Sequence, residues 1–330
     1  MKLGGTILTV AIAMGVVAAQ EPKFVLPLPV DSAFTKQSFP YSQARDGKAL
    51  HIDVYRPKGS AKVPVAVMLN GVGMDMRTHP QYMGWGRAVT TVGLAGVIMD
   101  SESGAIEKNF DDVMGYLRKH ATELNVDPES VVLYSCSANV TSGLPIAMNA
   151  SRTYIKAAVV YYGNAQVNGI RRDVPVMLVR AGLDSTRLNQ GLDAMFARAV
   201  RENAPWSLVN IAGGQHGFDV FDDNDESRSV VKATLEFMRD SLRPGVQQAV
   251  LKGKAKAEAA GLLSAEKWQE AAAAYERVIK AEPNDSAAHW RLAQALEHTG
   301  QEKRAIDEYQ RALDLGNFNR GFISFSAAKL

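Results

Sequence analysis

Short apolar runs alternate with segments of helical periodicity through residues 50–243, and this alternation limits the possible folds more than any other feature of the sequence. The runs have the length and the β-branched content of buried strands. They occupy residues 50–55, 63–69, 94–99, 131–134, 155–161, 174–179 and 207–211. Helical periodicity is found at residues 85–92, 106–124, 138–149, 188–200 and 229–242. This order predicts an α/β domain with a mostly parallel sheet and helices on both faces.

The segments on either side of residues 50–243 differ from that domain in composition. Residues 20–49 form a lead-in whose first part is rich in proline, and we expect residues 21–40 to be irregular. At the other end, the sequence Arg243-Pro244-Gly245 interrupts the last helix and marks a domain boundary. Residues 247–330 are rich in alanine, glutamate and lysine and contain no strand signal, which predicts a separate all-α domain.

The C-terminal domain contains an internal repeat. Ala271 and Tyr275 recur 34 residues later as Ala305 and Tyr309. A helix-turn-helix repeat of this length, with small residues where helices cross, resembles the tetratricopeptide repeat. Each repeat of such an array must bury one face against a neighbour. The resemblance therefore implies a possible protein partner or self-association through residues 247–330.

The N-terminus has the pattern of a cleaved signal peptide. Lys2 precedes an apolar run over residues 3–19, and that run ends in Val17-Ala18-Ala19, the small residues that a signal peptidase recognises. The run is shorter than the ~20 apolar residues that span a bilayer. We therefore expect residues 1–19 to be removed, Gln20 to begin the mature chain, and the protein to be exported to the periplasm or secreted without an integral membrane span.

Charge and cysteine content exclude several classes of function. The net charge is +2 and no cluster of lysine and arginine stands out, so the sequence gives no electrostatic support for a nucleic-acid partner. The single cysteine, Cys136, permits no internal disulfide and no cysteine-rich zinc site. We predict neither a metal nor a cofactor.

One strand-to-helix transition places a serine at a sharp corner. The strand at residues 131–134 runs into Ser135-Cys136-Ser137-Ala138-Asn139, and a helical segment follows. A nucleophile elbow has the pattern G-x-S-x-G, which here carries Ser135 and Asn139 in place of both glycines. Cys136 is an alternative nucleophile, but the strand register centres the elbow on Ser137. We therefore predict Ser137 as the nucleophile and Cys136 as a small buried residue.

A serine nucleophile needs a base, and the base needs an orienting acid. His216 is the one histidine between the elbow and the domain boundary, and it lies in a glycine-rich loop after a strand. Asp184 follows the strand at residues 174–179, so the chain order is Ser, Asp, His. Capping of the next helix is an alternative role for Asp184. Asp219 and Asp222 break that order because they follow His216.

The oxyanion of a tetrahedral intermediate needs two hydrogen-bond donors. We predict that one is the backbone N–H of Ala138, directly after the nucleophile. The second is expected from Asn70-Gly71-Val72-Gly73, the loop after the strand at residues 63–69, where the glycines permit close approach of the backbone. The N–H of Val72 is the predicted donor.

Taken together, these motifs resemble those of the α/β-hydrolases, in particular the dienelactone-hydrolase-like and esterase branch. The residues that carry the resemblance are 70–73, 135–139, 182–184 and 216–219. The resemblance implies an eight-stranded, mostly parallel sheet and a Ser137–His216–Asp184 triad. The family usually inserts a cap between the two strands that residues 163–173 connect here, and these residues are too few for a large one. The resemblance therefore also implies an open site.

Two functions are compatible with the sequence. The first is an exported serine hydrolase that cleaves a small-molecule carboxylic ester or thioester through an acyl-enzyme. The alternative is a protein-binding module, in which the helical repeats recruit a partner and the hydrolase fold is a weakly active or inactive scaffold.

Overall fold

A computed structural model describes residues 21–59, 61–71, 76–316 and 319–330. The predicted signal peptide, residues 1–19, and the predicted oxyanion donor Val72 lie outside these ranges. No helix in the described ranges is long and apolar enough to cross a membrane.

The described residues form one eight-stranded sheet, and the predicted fold class is confirmed. The strands are β1 Phe34–Gln43, β2 Ala49–Pro57, β3 Val63–Met68, β4 Ala95–Met99, β5 Val126–Cys136, β6 Ile155–Tyr161, β7 Val176–Ala181 and β8 Trp206–Ile211. Their spatial order is β1-β2-β4-β3-β5-β6-β7-β8. β2 is antiparallel to both of its neighbours, and the strands from β4 to β8 are parallel to one another. The carboxyl ends of the parallel strands therefore meet along one edge of the sheet.

Among the described residues of this domain, six α-helices lie between the strands or close the domain. They are α1 Pro80–Ala88, α2 Ile106–Lys119, α3 Val140–Met148, α4 Thr186–Arg201, α5 Phe218–Phe221 and α6 Asp225–Ser241. Alternate residues of β3 belong to different cores: Val65 and Val67 belong to the core that also contains residues of α2, α3 and α4, whereas Ala66 and Met68 belong to the core that also contains residues of α1 and α6. Burial on both faces explains why β3 is apolar throughout instead of alternating.

The lead-in is less irregular than the sequence predicted, because residues 34–43 form β1. Pro40 and many polar residues obscured this strand. β1 is an edge strand, where proline is tolerated, and its register with β2 shifts between Pro40 and Ser42. Farther upstream, Phe24 packs edge-on against Trp85 with ring centroids 5.4 Å apart. The packed core of the α/β domain therefore includes residues that precede residue 50.

The C-terminal segment consists of five helices in the described part of the chain. These are α7 Pro244–Ser264, α8 Trp268–Ala281, α9 Ser286–His298, α10 Glu302–Asp314 and α11 Arg320–Lys329. The repeated residues Ala271, Tyr275, Ala305 and Tyr309 are all buried in one core. The small alanine side chains let the helices approach closely, as the repeat pattern predicted, and the tyrosine rings fill the core between them.

The first of these helices also contacts the α/β domain. Only Leu242 and Arg243 separate α6 from α7. Pro244 is the first residue of α7, a position where the missing N–H of proline costs nothing because that N–H would have no partner within the helix. Gln247 Nε2 donates to the Lys156 carbonyl at 3.3 Å, and Lys254 Nζ lies 3.8 Å from Asp173 Oδ1. The C-terminal helical segment therefore contacts the α/β domain through α7.

Candidate active site

Ser137 lies at the carboxyl end of β5, at the centre of the sheet. β5 ends at Cys136, a 3-10 turn covers Ser137–Asn139, and α3 begins at Val140. The backbone φ of Ser137 is +53°. Such a conformation costs a non-glycine residue about 1–3 kcal/mol and persists only where the surrounding structure imposes it. The abrupt turn leaves Ser137 partly exposed between the buried residues Cys136 and Asn139.

The three residues predicted as a triad lie within hydrogen-bond distance of one another. His216 Nε2 is 2.8 Å from Ser137 Oγ, and His216 Nδ1 is 2.6 Å from Asp184 Oδ2. The side chain of His216 is 42% exposed and that of Asp184 10%. Both ring nitrogens are thus engaged, one by the hydroxyl and one by the carboxylate. This arrangement fixes the tautomer in which Nδ1 carries a hydrogen and Nε2 accepts one.

Asp184 does not take the alternative role of a helix cap. It follows the end of β7, and Ser185 caps α4 instead, because Ser185 Oγ accepts from the N–H of Leu188 at 3.3 Å. Gly182 brings the loop of Asp184 against the loop that follows β8. A Cβ at Gly182 would lie 2.3 Å from the Ala212 carbonyl oxygen, so that approach requires glycine.

Other aspartates near this edge of the sheet have different partners. Asp193 pairs with Arg180 at 3.0 Å. Asp222 accepts from the backbone N–H of Gln215 at 3.0 Å. Asp219 is fully buried away from the imidazole, as described below.

Cys136 occupies the buried side of the elbow. Its side chain faces the hydroxyl of Tyr82, with the sulfur and oxygen 3.7 Å apart. Burial raises the pKa of the Cys136 thiol to about 12. The thiol is therefore protonated at neutral pH and has no contact with His216 among its hydrogen-bond partners, which disfavours Cys136 as a nucleophile.

The first absent glycine of the elbow has a counterpart on the facing helix. Ser135 lies opposite Gly143 of α3, and a Cβ on Gly143 would come within 2.5 Å of Ser135 Cβ. The space that a glycine at position 135 would leave is therefore provided by the glycine at position 143. Strand and helix approach closely although neither elbow glycine is present.

A buried polar cluster beneath His216 was not predicted. The ring of Tyr162 lies 4.7 Å from the His216 ring, centroid to centroid, and its backbone φ is +34°. Tyr162 donates its hydroxyl hydrogen to Asp219 Oδ1 at 2.7 Å, and Trp85 Nε1 donates to Asp219 Oδ2 at 2.9 Å. Gln81 Nε2 donates to the same carboxylate at 3.0 Å. Burial raises the pKa of Asp219, and the donated hydrogen bonds act against that rise.

Of the two predicted oxyanion donors, Ala138 lies in the described part of the chain and Val72 does not. Ala138 is exposed and follows Ser137 in the 3-10 turn Ser137–Asn139, at a helix N-terminus, where backbone amides lack intrahelical acceptors. Val72 lies outside the described residues, and the last described residue before it is Gly71. Within the described ranges, no group of three or more histidine, cysteine, aspartate or glutamate side chains is placed to hold a metal ion.

Comparison with known proteins agrees with both parts of this architecture. The family model of the tetratricopeptide repeat matches residues 256–320. A search of curated proteins gave no match. Similar solved structures include an esterase of the fungus Rhizomucor miehei, with 16% identity, a TM-score of 0.54, and coverage of 66% of this chain and 85% of the other.

Two further esterase structures are similar to the same extent. One is brefeldin A esterase, described as a bacterial homologue of human hormone-sensitive lipase (15% identity, TM-score 0.54, 68% of this chain and 81% of the other). The other is EstE1, a thermostable carboxylesterase cloned from a metagenomic library (17% identity, TM-score 0.53, 67% and 92%). Identities this low establish the fold alone. The chain therefore has the α/β-hydrolase fold, followed by a helical segment of which residues 256–320 match the model of the tetratricopeptide repeat.

Proposed function

We propose that this protein is a serine hydrolase that cleaves carboxylic esters or thioesters through an acyl-enzyme. The observation that carries the proposal is the continuous hydrogen-bonded chain from Ser137 through His216 to Asp184 at the carboxyl edge of the sheet. Nothing in the turn at Ser137 requires a histidine partner for folding. The hydrogen bond between Ser137 and His216 therefore favours a catalytic role. Esterase activity in proteins of the same fold is consistent with this assignment.

The geometry supports a two-step mechanism. His216 Nε2 accepts the proton of Ser137 as Oγ bonds to the carbonyl carbon, and Asp184 stabilises the resulting imidazolium. The tetrahedral intermediate then expels the alcohol or thiol, which takes the proton from His216. A water molecule attacks the acyl-enzyme by the same route, and the acid and free Ser137 are released. The N–H groups of Ala138 and Val72 are the proposed donors to the oxyanion.

The surroundings of the triad favour a small substrate that enters directly from solvent. His216 is exposed, and the connection between β6 and β7 contains neither helix nor strand. No domain-sized cap is inserted there. An open site of this kind binds the acyl group through few contacts, so we expect broad tolerance of short acyl chains.

The test combines active-site labelling with turnover. Parent protein, Ser137→Ala and Cys136→Ala are incubated with a fluorophosphonate probe and with p-nitrophenyl esters of increasing acyl length. We expect labelling and turnover in the parent and in Cys136→Ala, and a loss of kcat on the order of 10⁴-fold or more in Ser137→Ala. Equal labelling of Ser137→Ala and the parent would refute the assignment.

The match to the tetratricopeptide repeat supports a second candidate, the recruitment of a protein partner or a second copy through residues 247–330. In the strongest form of this second candidate, the α/β domain has no activity and serves only as a scaffold. The ester panel separates the two: turnover that depends on Ser137 excludes an inactive scaffold, whereas its absence together with a defined partner complex of the full chain favours it.

We also propose export, with cleavage after Ala19. The observation behind it is the charged start, apolar run and small-residue end of residues 1–19. Expression of the full chain in a bacterium, followed by N-terminal sequencing of the periplasmic fraction, tests it. We expect the sequence to begin at Gln20, and a protein that retains Met1 in the cytoplasm would contradict export.

A further inference from the structure

Three consecutive residues that leave β3 are each held by a side chain from a different part of the fold. The Leu69 carbonyl accepts from the Tyr82 hydroxyl at 3.1 Å. The Asn70 carbonyl accepts from the Ser101 hydroxyl. The Gly71 N–H donates to Asn139 Oδ1 at 2.8 Å. This is an unusual concentration of side-chain contacts on a short stretch of backbone, and it lies beside the elbow.

Asn139 is the centre of these contacts, and elementary chemistry fixes the orientation of its amide. A backbone N–H can only donate, so the atom facing Gly71 must be the oxygen. Nδ2 then donates to the Tyr82 hydroxyl at 2.8 Å. Since that hydroxyl oxygen accepts from Asn139, its own hydrogen is directed to the Leu69 carbonyl. One buried amide, 4% exposed, thereby ties the elbow to both Leu69 and Gly71.

The connection between β3 and α1 is also held at Arg77, close to residue 76, where the described part of the chain resumes. Arg77 Nη1 lies 2.8 Å from Asp53 Oδ1, and Arg77 Nε lies 3.2 Å from Asp100 Oδ1. Asp53 is fully buried at the antiparallel side of the sheet. The chain between β3 and α1 is therefore anchored at both of its described ends.

We propose that Asn139 is a positioning residue, which holds the backbone at Gly71 in register with the turn that carries Ser137. The G-x-S-x-G pattern has a glycine at this position and cannot form such a tie. The inference rests on the proposed esterase function. Gly71 opens the connection that is predicted to supply the second oxyanion donor, so Asn139 links the described start of that connection to the turn that carries Ser137 and Ala138.

This role predicts a defect in kcat and not in substrate binding. Loss of a complete oxyanion donor lowers kcat by about 10²–10³-fold in a serine hydrolase. Misplacement of one donor should cost less, and we expect Asn139→Gly to lower kcat by roughly 10- to 100-fold with KM within about threefold. Asn139→Leu, which is branched at the same carbon but cannot form these hydrogen bonds, should behave likewise.

Tyr82→Phe tests the tie without changing the elbow itself. It removes the hydroxyl that links Asn139 to Leu69 but leaves the bond from Asn139 to Gly71 possible. We expect an intermediate loss of kcat. This variant also keeps the proposal open to refutation should the Asn139 variants fail to fold.

Asn149→Gly is the matched control. It is the same substitution at the exposed C-terminal end of the same helix, α3. All variants are compared on one p-nitrophenyl ester for kcat, KM and the pH profile of kcat/KM, and for inhibition by a trifluoromethyl ketone, whose adduct with Ser137 carries an oxyanion. Amide hydrogen exchange at Gly71 measures the tie without substrate.

The expected result is that Asn139→Gly loses kcat and ketone affinity in parallel, exchanges the Gly71 amide faster, and keeps the parental pH profile because the Ser137–His216 pair is unaltered. Asn149→Gly should match the parent in every measurement. An Asn139→Gly variant with parental or higher kcat would overturn the positioning role and leave the esterase assignment intact. A parent without Ser137-dependent turnover would instead overturn the proposed function, and the positioning role with it.

Discussion

Substitutions at Gly143, the glycine of α3 that faces Ser135 of β5, test directly how this elbow is packed. Gly143→Ala places a methyl group on α3 where it would lie 2.5 Å from Ser135 Cβ and 2.7 Å from Ser135 Oγ. A Cβ atom does not approach other non-bonded heavy atoms so closely, and Ser135 is part of the central strand β5, so strand and helix must separate. Ser135→Gly removes the atoms that the methyl group meets.

The expected magnitudes follow from these contacts. Alanine is a better helix former than glycine by about 1 kcal/mol, but overpacking costs about 1–3 kcal/mol, so Gly143→Ala should be destabilising by up to about 2 kcal/mol. Ser135→Gly alone should cost about 0.5–1 kcal/mol because glycine loses more backbone entropy. In the double variant the overpacking disappears. A remaining contact at 3.2 Å with Leu69 Cδ2 is at the end of a flexible side chain.

The double-mutant cycle should therefore give a favourable coupling of about 1–3 kcal/mol between positions 135 and 143. Urea unfolding measures it, in a shared background where the repeat tryptophans Trp268 and Trp290 are phenylalanine, so that fluorescence reports on the α/β domain. Equal slopes against urea are required for the comparison. Additivity within about 0.5 kcal/mol would refute the claim that Gly143 replaces the missing glycine at position 135.

Three further results are expected from the buried groups around the triad. Tyr162→Phe removes a hydrogen bond to a carboxylate and should lower the free energy of unfolding by about 1–3 kcal/mol in a urea titration; an unchanged midpoint would contradict the bond. Because burial raises the pKa of Asp219, its contribution to stability is greatest below the unfolded pKa of about 3.9 and declines as pH rises through the folded pKa. The cost of Asp219→Asn should accordingly be largest at low pH and shrink as pH rises, and a cost that grows with pH would reverse the sign of this argument. Because burial raises the pKa of Cys136 to about 12, iodoacetamide at pH 8 should modify the unfolded but not the native protein, as mass spectrometry would show. Rapid alkylation of the native thiol with loss of activity would instead favour cysteine chemistry.

Much of the fold was predictable from local sequence because its strands are apolar runs and its helices have one apolar face. The positions of Ser137, Asp184 and His216 at one sheet edge follow from the same pattern, since each residue lies in the turn or loop that follows a parallel strand. β1 was missed because an edge strand has few buried residues to reveal it. Of its ten residues only Phe34 is buried, and Pro40 is a signal against a strand.

The contacts that shape the site could not be predicted in the same way. Asn139 meets Gly71 across 68 residues of sequence and Tyr82 across 57, and Tyr162 meets Asp219 across 57. No local periodicity encodes pairs so far apart. Asp219 was visible as part of the sequence His216-Gly217-Phe218-Asp219, but its partners became apparent only when α1 and the end of β6 were placed around it.

The elbow motif itself shows why residue identity and physical role must be separated. A glycine in G-x-S-x-G contributes empty space, and empty space can be supplied from either side of a contact. At position 135 the space comes from Gly143 on the facing helix. At position 139 the turn has room for a side chain, and Asn139 uses it to bond the chain that leaves β3. The two departures from the motif therefore have different consequences: the first preserves the packing between strand and helix, and the second adds a constraint that a glycine elbow lacks. If that constraint acts on the oxyanion donor, the substitution that restores the motif at position 139 should impair the enzyme, whereas Ser135→Gly should cost only about 0.5–1 kcal/mol of stability through backbone entropy.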